Sequence, residues 1–542
     1  MRISQLTRAT RRASIVGQAM NSSDTYDFII IGAGSAGCVL ASRLALDSCK
    51  RVLLLEAGGS DLHPFIHMPA GIARLVHNRR INWNYSTEPE PQLNGRRLYW
   101  PRGKVLGGCS SINAMCYVRG QPQDYDDWAR GGAEGWSYAA VLPYFQKSAV
   151  AVSNLRSRNV LSEQFVAAGA HVGLPLTDDF NGPSQHGVGF YQVTQQHGRR
   201  CSAAVAYLRP ARGWVNFELR DHSLVERIIL DKGRASGVQY VRRGRRFTAL
   251  CAEEVVLCAG AVNSPQVLML SGIGPADHLR ELGIPLEINL PGVGANLQDH
   301  LDICTLYKST RPVTYDFGPL QELGVALRYV ATRNGPGASN VAEAGAFLCS
   351  SQAVAGRPDI QLHFVPAQLD DHGRNRLPGH GFTLHACNLR PLSRGRIRLR
   401  SARANDAPRI FANYLQESQD LAVMIEAVRR SRQILGAPAF DAYRGGEVFP
   451  GVQAQTDAEL AAFIRAKAET IYHPVGTCRM GNDELAVVDP SLRVRGVHGL
   501  RVVDASIMPT IVRGNTNAAT IMIAEMAADL IRGRAPRVAA IA

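Results

Sequence analysis

The chain has 542 residues, 46% of them hydrophobic and 20% charged, with a formal net charge of +14. The balance is that of a globular protein with a large core and excludes a disordered or fibrous chain; the length makes two domains the expectation. No run of about eighteen apolar residues occurs, so no membrane-spanning helix is expected, while peripheral membrane contact stays open.

The first 23 residues carry Arg2, Arg8, Arg11 and Arg12 and no acid before Asp24. Arg11-Arg12 loosely matches a twin-arginine signal, but Ala13–Gly17 is too short for an export region. A transit peptide and a true start at Met20 are the alternatives; residues 1–24 are expected to be disordered and dispensable. The apolar run Phe28–Ile31 then meets Gly32, Gly34 and Gly37, and Glu56 closes the next run, Val52–Leu55, 19 residues beyond Gly37. Gly32 permits a tight strand-to-helix turn, Gly34 lets backbone approach a pyrophosphate, and Gly37 lets the helix pack on the sheet. A helix beginning near Ser35 aims free N–H groups at that pyrophosphate, and Glu56 can take the hydroxyls of a ribose. The pattern predicts dinucleotide binding without separating FAD from NAD.

Residues 60–100 are rich in Pro, His, Asn and Arg and read as irregular. Helices are predicted around 138–147 and 162–172, and an alternating meander over 225–259 runs into a second glycine turn at Ala259-Gly260. The densest basic cluster, Arg242, Arg243, Arg245 and Arg246, falls at a hairpin turn of that meander, so a solvated surface is expected there and nucleic-acid binding is not. Residues 499–504 read as a buried strand and 518–531 as a closing helix. The predicted architecture is α/β: a Rossmann-like nucleotide-binding domain from 25–155, 219–310 and 465–535, with a substrate-binding cap of mixed sheet and helices from 156–218 and 311–464. Eleven cysteines without a C-x-x-C pair argue against a disulfide framework and a zinc site, and for a reducing compartment. Small-residue packing accounts for Cys109, Cys258 and Cys478.

From Tyr26 to Arg532 the chain resembles the glucose–methanol–choline (GMC) family of FAD-dependent oxidoreductases. The resemblance is carried by Gly103–Asn113, Gly260–Gly274, Val293–His300 and His473–Gly481; Ser339–Gly345 leans toward the choline-dehydrogenase-like and primary-alcohol-dehydrogenase branch. It implies that FAD is the cofactor and that the loop through Gly107, Gly108, Ser110 and Asn113 passes beside its ring system. Relatives with covalent flavin carry histidine where this chain has Ile112, so non-covalent FAD is expected. His473 is the expected catalytic base. The second catalytic position falls at Asn517, 44 residues on, where an amide can hold the alcohol oxygen but cannot act as a base; an N-cap role is the alternative. The start of the closing helix is expected to face the flavin's pyrimidine side, where its partial positive charge favours reduction. Asp504 is expected to seat the cofactor or cap a turn. Glu343 is a candidate for holding a quaternary-ammonium substrate, against the same pattern in relatives that oxidise uncharged alcohols. His300, His363 and His385 are read as structural, and no metal is expected. The connection at 148–153 is shorter than in relatives, leaving the access route and oligomeric state open.

The implied activity is oxidation of a primary alcohol to an aldehyde, with a quinone, a carrier protein or oxygen as the electron acceptor. A flavin-retaining lyase, a fatty-acid decarboxylase and a non-enzymatic flavin-binding protein are the alternatives. The expected compartment is the cytoplasm, with contact at the inner membrane open and export or organelle import through residues 1–23 disfavoured.

Overall fold

A computed structural model describes residues 24–354, 356–375 and 377–534; the expectation for residues 1–23 lies outside them. Two seven-stranded sheets organise the chain. In the first, strands Phe217–Arg220, Val52–Leu55, Thr25–Ile31 and Arg245–Leu257 run parallel, and Leu500–Val502 joins the far side of the last. Val52–Leu55 and Ile29–Ile31 are buried throughout, as expected of parallel strands covered on both faces. Helix Ser35–Ala45 follows the first strand and packs against the closing helix Thr516–Ile531. The meander is present as Ser223–Asp231, Arg234–Arg242 and Arg245–Leu257, paired antiparallel. Its last turn holds Arg243 and Gly244 at positive φ, and Arg246 pairs with Glu226 at 2.6 Å at the surface.

The second sheet is antiparallel, in the order Arg444–Phe449, Leu301–Ser309, Gly381–Asn388, Ile360–Val365, Ala344–Leu348 and Gly187–Phe190, with Glu469–Thr470 also on Leu301–Ser309. Leu301–Ser309 and Glu469–Thr470 therefore lie in the antiparallel sheet, whereas the expected boundaries group both with segments of the parallel one. Side chains alternate across this sheet. Phe364 and Phe382 turn to one face, where they pack with Phe165 and Phe440 under helices Val160–His171 and Ser418–Leu435. The intervening His363, His385 and Cys304 line an internal cavity on the other face. All eleven cysteines are free. No helix among the described residues is long and apolar enough to cross a membrane.

Candidate active site

One cavity, lined by residues of both sheets, runs from the end of the first strand to His473. At its nucleotide end the glycines divide the labour. A Cβ on Gly32, at φ +97°, would lie 2.6 Å from the Cys258 carbonyl oxygen, and one on Gly37 would lie 1.8 Å from the Gly32 carbonyl oxygen. Strand, turn and helix could not close on any larger residue. Gly34 and Gly260 serve differently. A Cβ on Gly34 would have its nearest neighbour at 3.9 Å and one on Gly260 would meet nothing within 4 Å, so both leave the cavity open. Helix Ser35–Ala45 starts at Gly34 with no side-chain cap, leaving first-turn N–H groups free beside the cavity. Glu56 is fixed at the strand end, accepting from the amides of Ala33 (2.8 Å) and Gly58 (2.7 Å), and burial pushes its carboxyl up to about 7.

The loop Gly107–Asn113 presses on this turn, for a Cβ on Gly108 would sit 2.7 Å from the Gly34 Cα. Ser110 points inward, donating to the Gly107 carbonyl (2.5 Å) and accepting from the Ala203 amide (3.0 Å), while Ile112 and Asn113 line the cavity. Arg200, which the sequence reading passed over, holds the loop from behind. Its guanidinium donates to the carbonyls of Ile66 (2.8 Å), Ser110 (3.2 Å) and Asn113 (2.6 Å) and to Asn113 Oδ1 (2.7 Å). All four acceptors are neutral, Nη2 has no partner among the described residues, and burial pushes the group down to about 9. Asp504 accepts from the Gly260 amide (2.9 Å), Ser264 Oγ (2.5 Å) and the Ser506 amide (2.8 Å), so it caps one turn, braces a second and also lines the cavity beside Ala259. Free helix N–H groups, open glycines and a fixed carboxylate at a parallel strand end fit the pyrophosphate and ribose of FAD.

At the other end the loop after Glu469–Thr470 carries His473. Tyr472 stands at φ +73°, held by Arg102 Nη2 on its carbonyl (2.7 Å) and by His372 Nδ1 on its hydroxyl (2.6 Å). Asp299 accepts from the His473 amide (2.8 Å), Thr470 Oγ1 (2.6 Å) and the Tyr414 hydroxyl. The His473 ring meets two partners: Nδ1 lies 3.1 Å from His300 Nδ1, and Nε2 lies 3.2 Å from Asn515 Nδ2. Asn515 Oδ1 accepts from Gln361 Nε2 at 3.1 Å, which turns the amide's NH2 toward His473. This network assigns the lone pair to His473 Nε2 and the proton to Nδ1, donated to His300. Burial, then His300, His363 and Arg102, hold His473 well below the ordinary imidazole value.

Three expectations change here. The amide at His473 is Asn515, whereas Asn517 Oδ1 accepts from Ser35 Oγ at 2.7 Å. The closing helix starts at Thr516, two residues early, so its N-cap is Asn515, without a side-chain cap bond, and Asn517 lies inside the first turn. Glu343 is not on the cavity: fully buried, it accepts from Tyr315 (2.5 Å), Ser339 (2.5 Å) and the Asn159 amide (2.7 Å) at the start of helix Val160–His171, inside the fold and away from the cavity lining. The three histidines read as structural all gather at the site. His300 touches His473, and His363 and His385 line the cavity.

Strand register builds the rest of the wall. Cys304 pairs across to His385, and His385 to His363. Asp302, two residues before Cys304, accepts from His385 Nδ1 at 2.6 Å, and Cys304 Sγ lies 3.3 Å from the same nitrogen. Burial works to lower His385, but the Asp302 and Glu469 carboxylates outweigh it and leave the imidazole above its ordinary value. Glu469, pushed up to about 7 by burial, accepts from the His372 amide at 3.1 Å. Asp302, Cys304 and His385 form one compact polar group, and Asp371, His372 and Glu469 another. No local motif announces either; strand register assembles the first, and the turn Asp371–Gly373 brings His372 to Glu469 in the second.

Comparison with known proteins adds the following. GMC oxidoreductase family models match residues 26–302 and 391–524. An alcohol dehydrogenase [acceptor] of Pseudomonas putida is 48% identical over 528 residues, covering 93% of this chain and 95% of that protein. The mitochondrial choline dehydrogenase of Mus musculus is 45% identical over 536 residues, covering 94% and 90%. The structure of an Aspergillus oryzae RIB40 formate oxidase variant, concerned with FAD modification, superposes with a TM-score of 0.89 at 25% identity, covering 95% of this chain and 99% of that one.

Proposed function

The chain belongs to the GMC oxidoreductase family, an FAD-dependent oxidoreductase acting on CH–OH groups, and from that premise we propose that His473 is the base that takes the hydroxyl proton of a primary alcohol. The observation that carries this reading is the bracketing of His473 by Asn515 at Nε2 and His300 at Nδ1. FAD, once bound, would supply the two-electron acceptor, its N5, for the carbinol hydride. His473 enters the reaction neutral, because its low proton affinity keeps Nε2 unprotonated. As the proton arrives at Nε2, His473 keeps its Nδ1 proton, still donated to His300 Nδ1, and the resulting imidazolium is balanced by the negative charge left on the alcohol oxygen. Asn515 then has its NH2 beside the forming oxyanion and holds it in place. Asp299 fixes the His473 backbone, so the ring cannot withdraw from the cavity.

Glu56, Gly34, Gly260, Asp504 and the loop Gly107–Asn113 are assigned to holding FAD, and Ile112, lacking a nucleophilic side chain, to holding it without a covalent bond. The product is an aldehyde. Reoxidation is assigned to a quinone, another carrier or oxygen, in the cytoplasm. The parallel sheet is taken as the cofactor domain and the antiparallel sheet as the substrate domain. The two relatives at 45–48% identity are named as an alcohol dehydrogenase and a choline dehydrogenase, so the lyase and decarboxylase alternatives are set aside. Anaerobic mixing of the FAD-loaded protein with a panel of primary alcohols, choline included, tests the reading. Bleaching of the flavin band by a neutral or cationic alcohol identifies the class, and an unbleached band across the panel overturns it.

A further inference from the structure

Among the described residues, sixteen large apolar side chains are exposed, and four of them sit on the single helix Pro319–Thr332: Leu320, Leu323, Leu327 and Val330, between 57% and 86% exposed. At 100° per residue they fall within an arc of about 80°, one stripe along the helix. The helix is docked by its opposite side, where buried Tyr329 donates its hydroxyl to the carbonyls of His67 (3.0 Å) and Gly198 (3.1 Å). An apolar stripe turned to water on an anchored helix reverses the usual amphipathic arrangement and marks a contact surface.

The charges around it indicate what the surface contacts. Arg156, Arg199 and Arg328 are exposed and Arg333 half-buried, and none has a carboxylate within ion-pair distance among the described residues. They cluster at the C-terminal end of the helix. A Cβ on Gly198 would touch both the Arg333 carbonyl (2.3 Å) and Arg156 Cδ (3.2 Å), and Arg328 Nε would lie 2.8 Å from a Cβ on Gly335. By contrast Glu322, the helix's one acid, is already paired with Arg74 at 2.6 Å. Four apolar side chains are too few for a stable dimer, which needs about 20–30 residues a side. Apolar side chains beside guanidinium groups that lack a carboxylate partner, one of them (Arg333) stacked on Tyr329, match the acyl boundary and phosphates of an anionic bilayer.

We propose that helix Pro319–Thr332 lies in the interface of a membrane containing anionic lipid, with its Leu320–Val330 stripe among the acyl chains and Arg156, Arg199, Arg328 and Arg333 at the headgroups. The Arg74–Glu322 pair ties this helix to the short helix Ile72–Leu75, whose Ile72 and Ala73 line the cavity, so the docked protein holds that wall near the bilayer.

The test is flotation of the full-length FAD-loaded protein with phosphatidylcholine vesicles, with and without phosphatidylglycerol. It compares the natural chain with a variant carrying Leu320→Ser, Leu323→Ser, Leu327→Ser and Val330→Ser. The natural protein should float with the anionic vesicles, and the variant should bind them at least about tenfold more weakly. Thermal midpoint and turnover of a water-soluble alcohol should stay unchanged, because the stripe touches neither core nor cavity. The proposal is overturned if the natural chain does not float, if the variant floats equally well, or if light scattering shows a dimer that the variant dissociates. Flotation does not depend on turnover, so its failure is distinct from failure of the catalytic reading.

Discussion

Ser35 Oγ donates a hydrogen bond of 2.7 Å to Asn517 Oδ1, joining the starts of two helices 482 residues apart in sequence. Both helix starts open on one cavity, so this bond fixes the angle at which two sets of free N–H groups face the cofactor space. Asn515, two residues earlier, faces His473 instead. Asn517→Ala should therefore weaken FAD retention more than the chemical step. Asn515→Ala should slow alcohol-dependent flavin reduction by about ten- to a hundredfold, the worth of a buried hydrogen bond to a charged group, with FAD retained. FAD titration by fluorescence and anaerobic single-turnover kinetics separate the two; the reverse pattern would return the catalytic role to Asn517.

The buried hydrogen bonds of Glu343 predict that it stabilises the fold and does not select a substrate. Glu343→Ala strands the Tyr315 and Ser339 hydroxyls and the Asn159 amide in a buried place, at about 1–3 kcal/mol for each lost partner. Thermal unfolding should shift down markedly. Among substrates that still turn over, the preference between choline and an uncharged alcohol should not move. A selective loss of choline turnover at unchanged stability would contradict this.

Arg200 presents a buried positive charge to neutral oxygens alone, behind the loop that borders the cofactor space. Arg200→Met removes the bonds that hold the Ser110 and Asn113 carbonyls. The apoprotein should then bind FAD at least about tenfold more weakly, each lost charged bond being worth about 1.5–3 kcal/mol. Fluorescence titration reads this directly. Unchanged affinity would make the arginine a passive filler.

Much of the nucleotide end was legible in the sequence because its causes are local. Gly32, Gly34, Gly37 and Glu56 stand at spacings that a strand, a tight turn and a helix impose on any chain. The active-site end was legible only in part. His473 sits in a recognisable motif, but its amide partner depends on where the closing helix begins: Asn515 is its extended N-cap and Asn517 lies in the first turn, so the two point to different neighbours. His363, His385, Cys304 and Asp302 lie on three strands, and only the register His363–His385–Cys304 brings them to one wall. Glu343 was a reasonable candidate by pattern; its chain neighbours, however, turn it toward a helix start and away from the cavity.

Burial also sets the response of stability to pH. His363 is held at about 3 by burial, then by the neighbouring His385, whereas in the unfolded chain it titrates near its ordinary value of about 6.5. Its folded-state proton affinity is lowered, so the unfolded chain binds the proton first. The stability is complete above about pH 6.5 and is lost as pH falls toward 3. At pH 5 this single group accounts for a loss on the order of 2 kcal/mol. Replacing it by a residue that does not titrate, His363→Gln, should reduce the fall in denaturant midpoint between pH 7 and pH 5. An equal fall in both proteins would show that His363 is protonated in the folded state.

The central claim is that His473 removes the alcohol proton, and anaerobic stopped-flow reduction of the FAD-loaded His473→Ala variant tests it most directly. The variant should keep its yellow cofactor and be reduced by a primary alcohol roughly two to four orders of magnitude more slowly than the natural enzyme. Reduction at a near-natural rate with the cofactor in place would remove His473 from the mechanism.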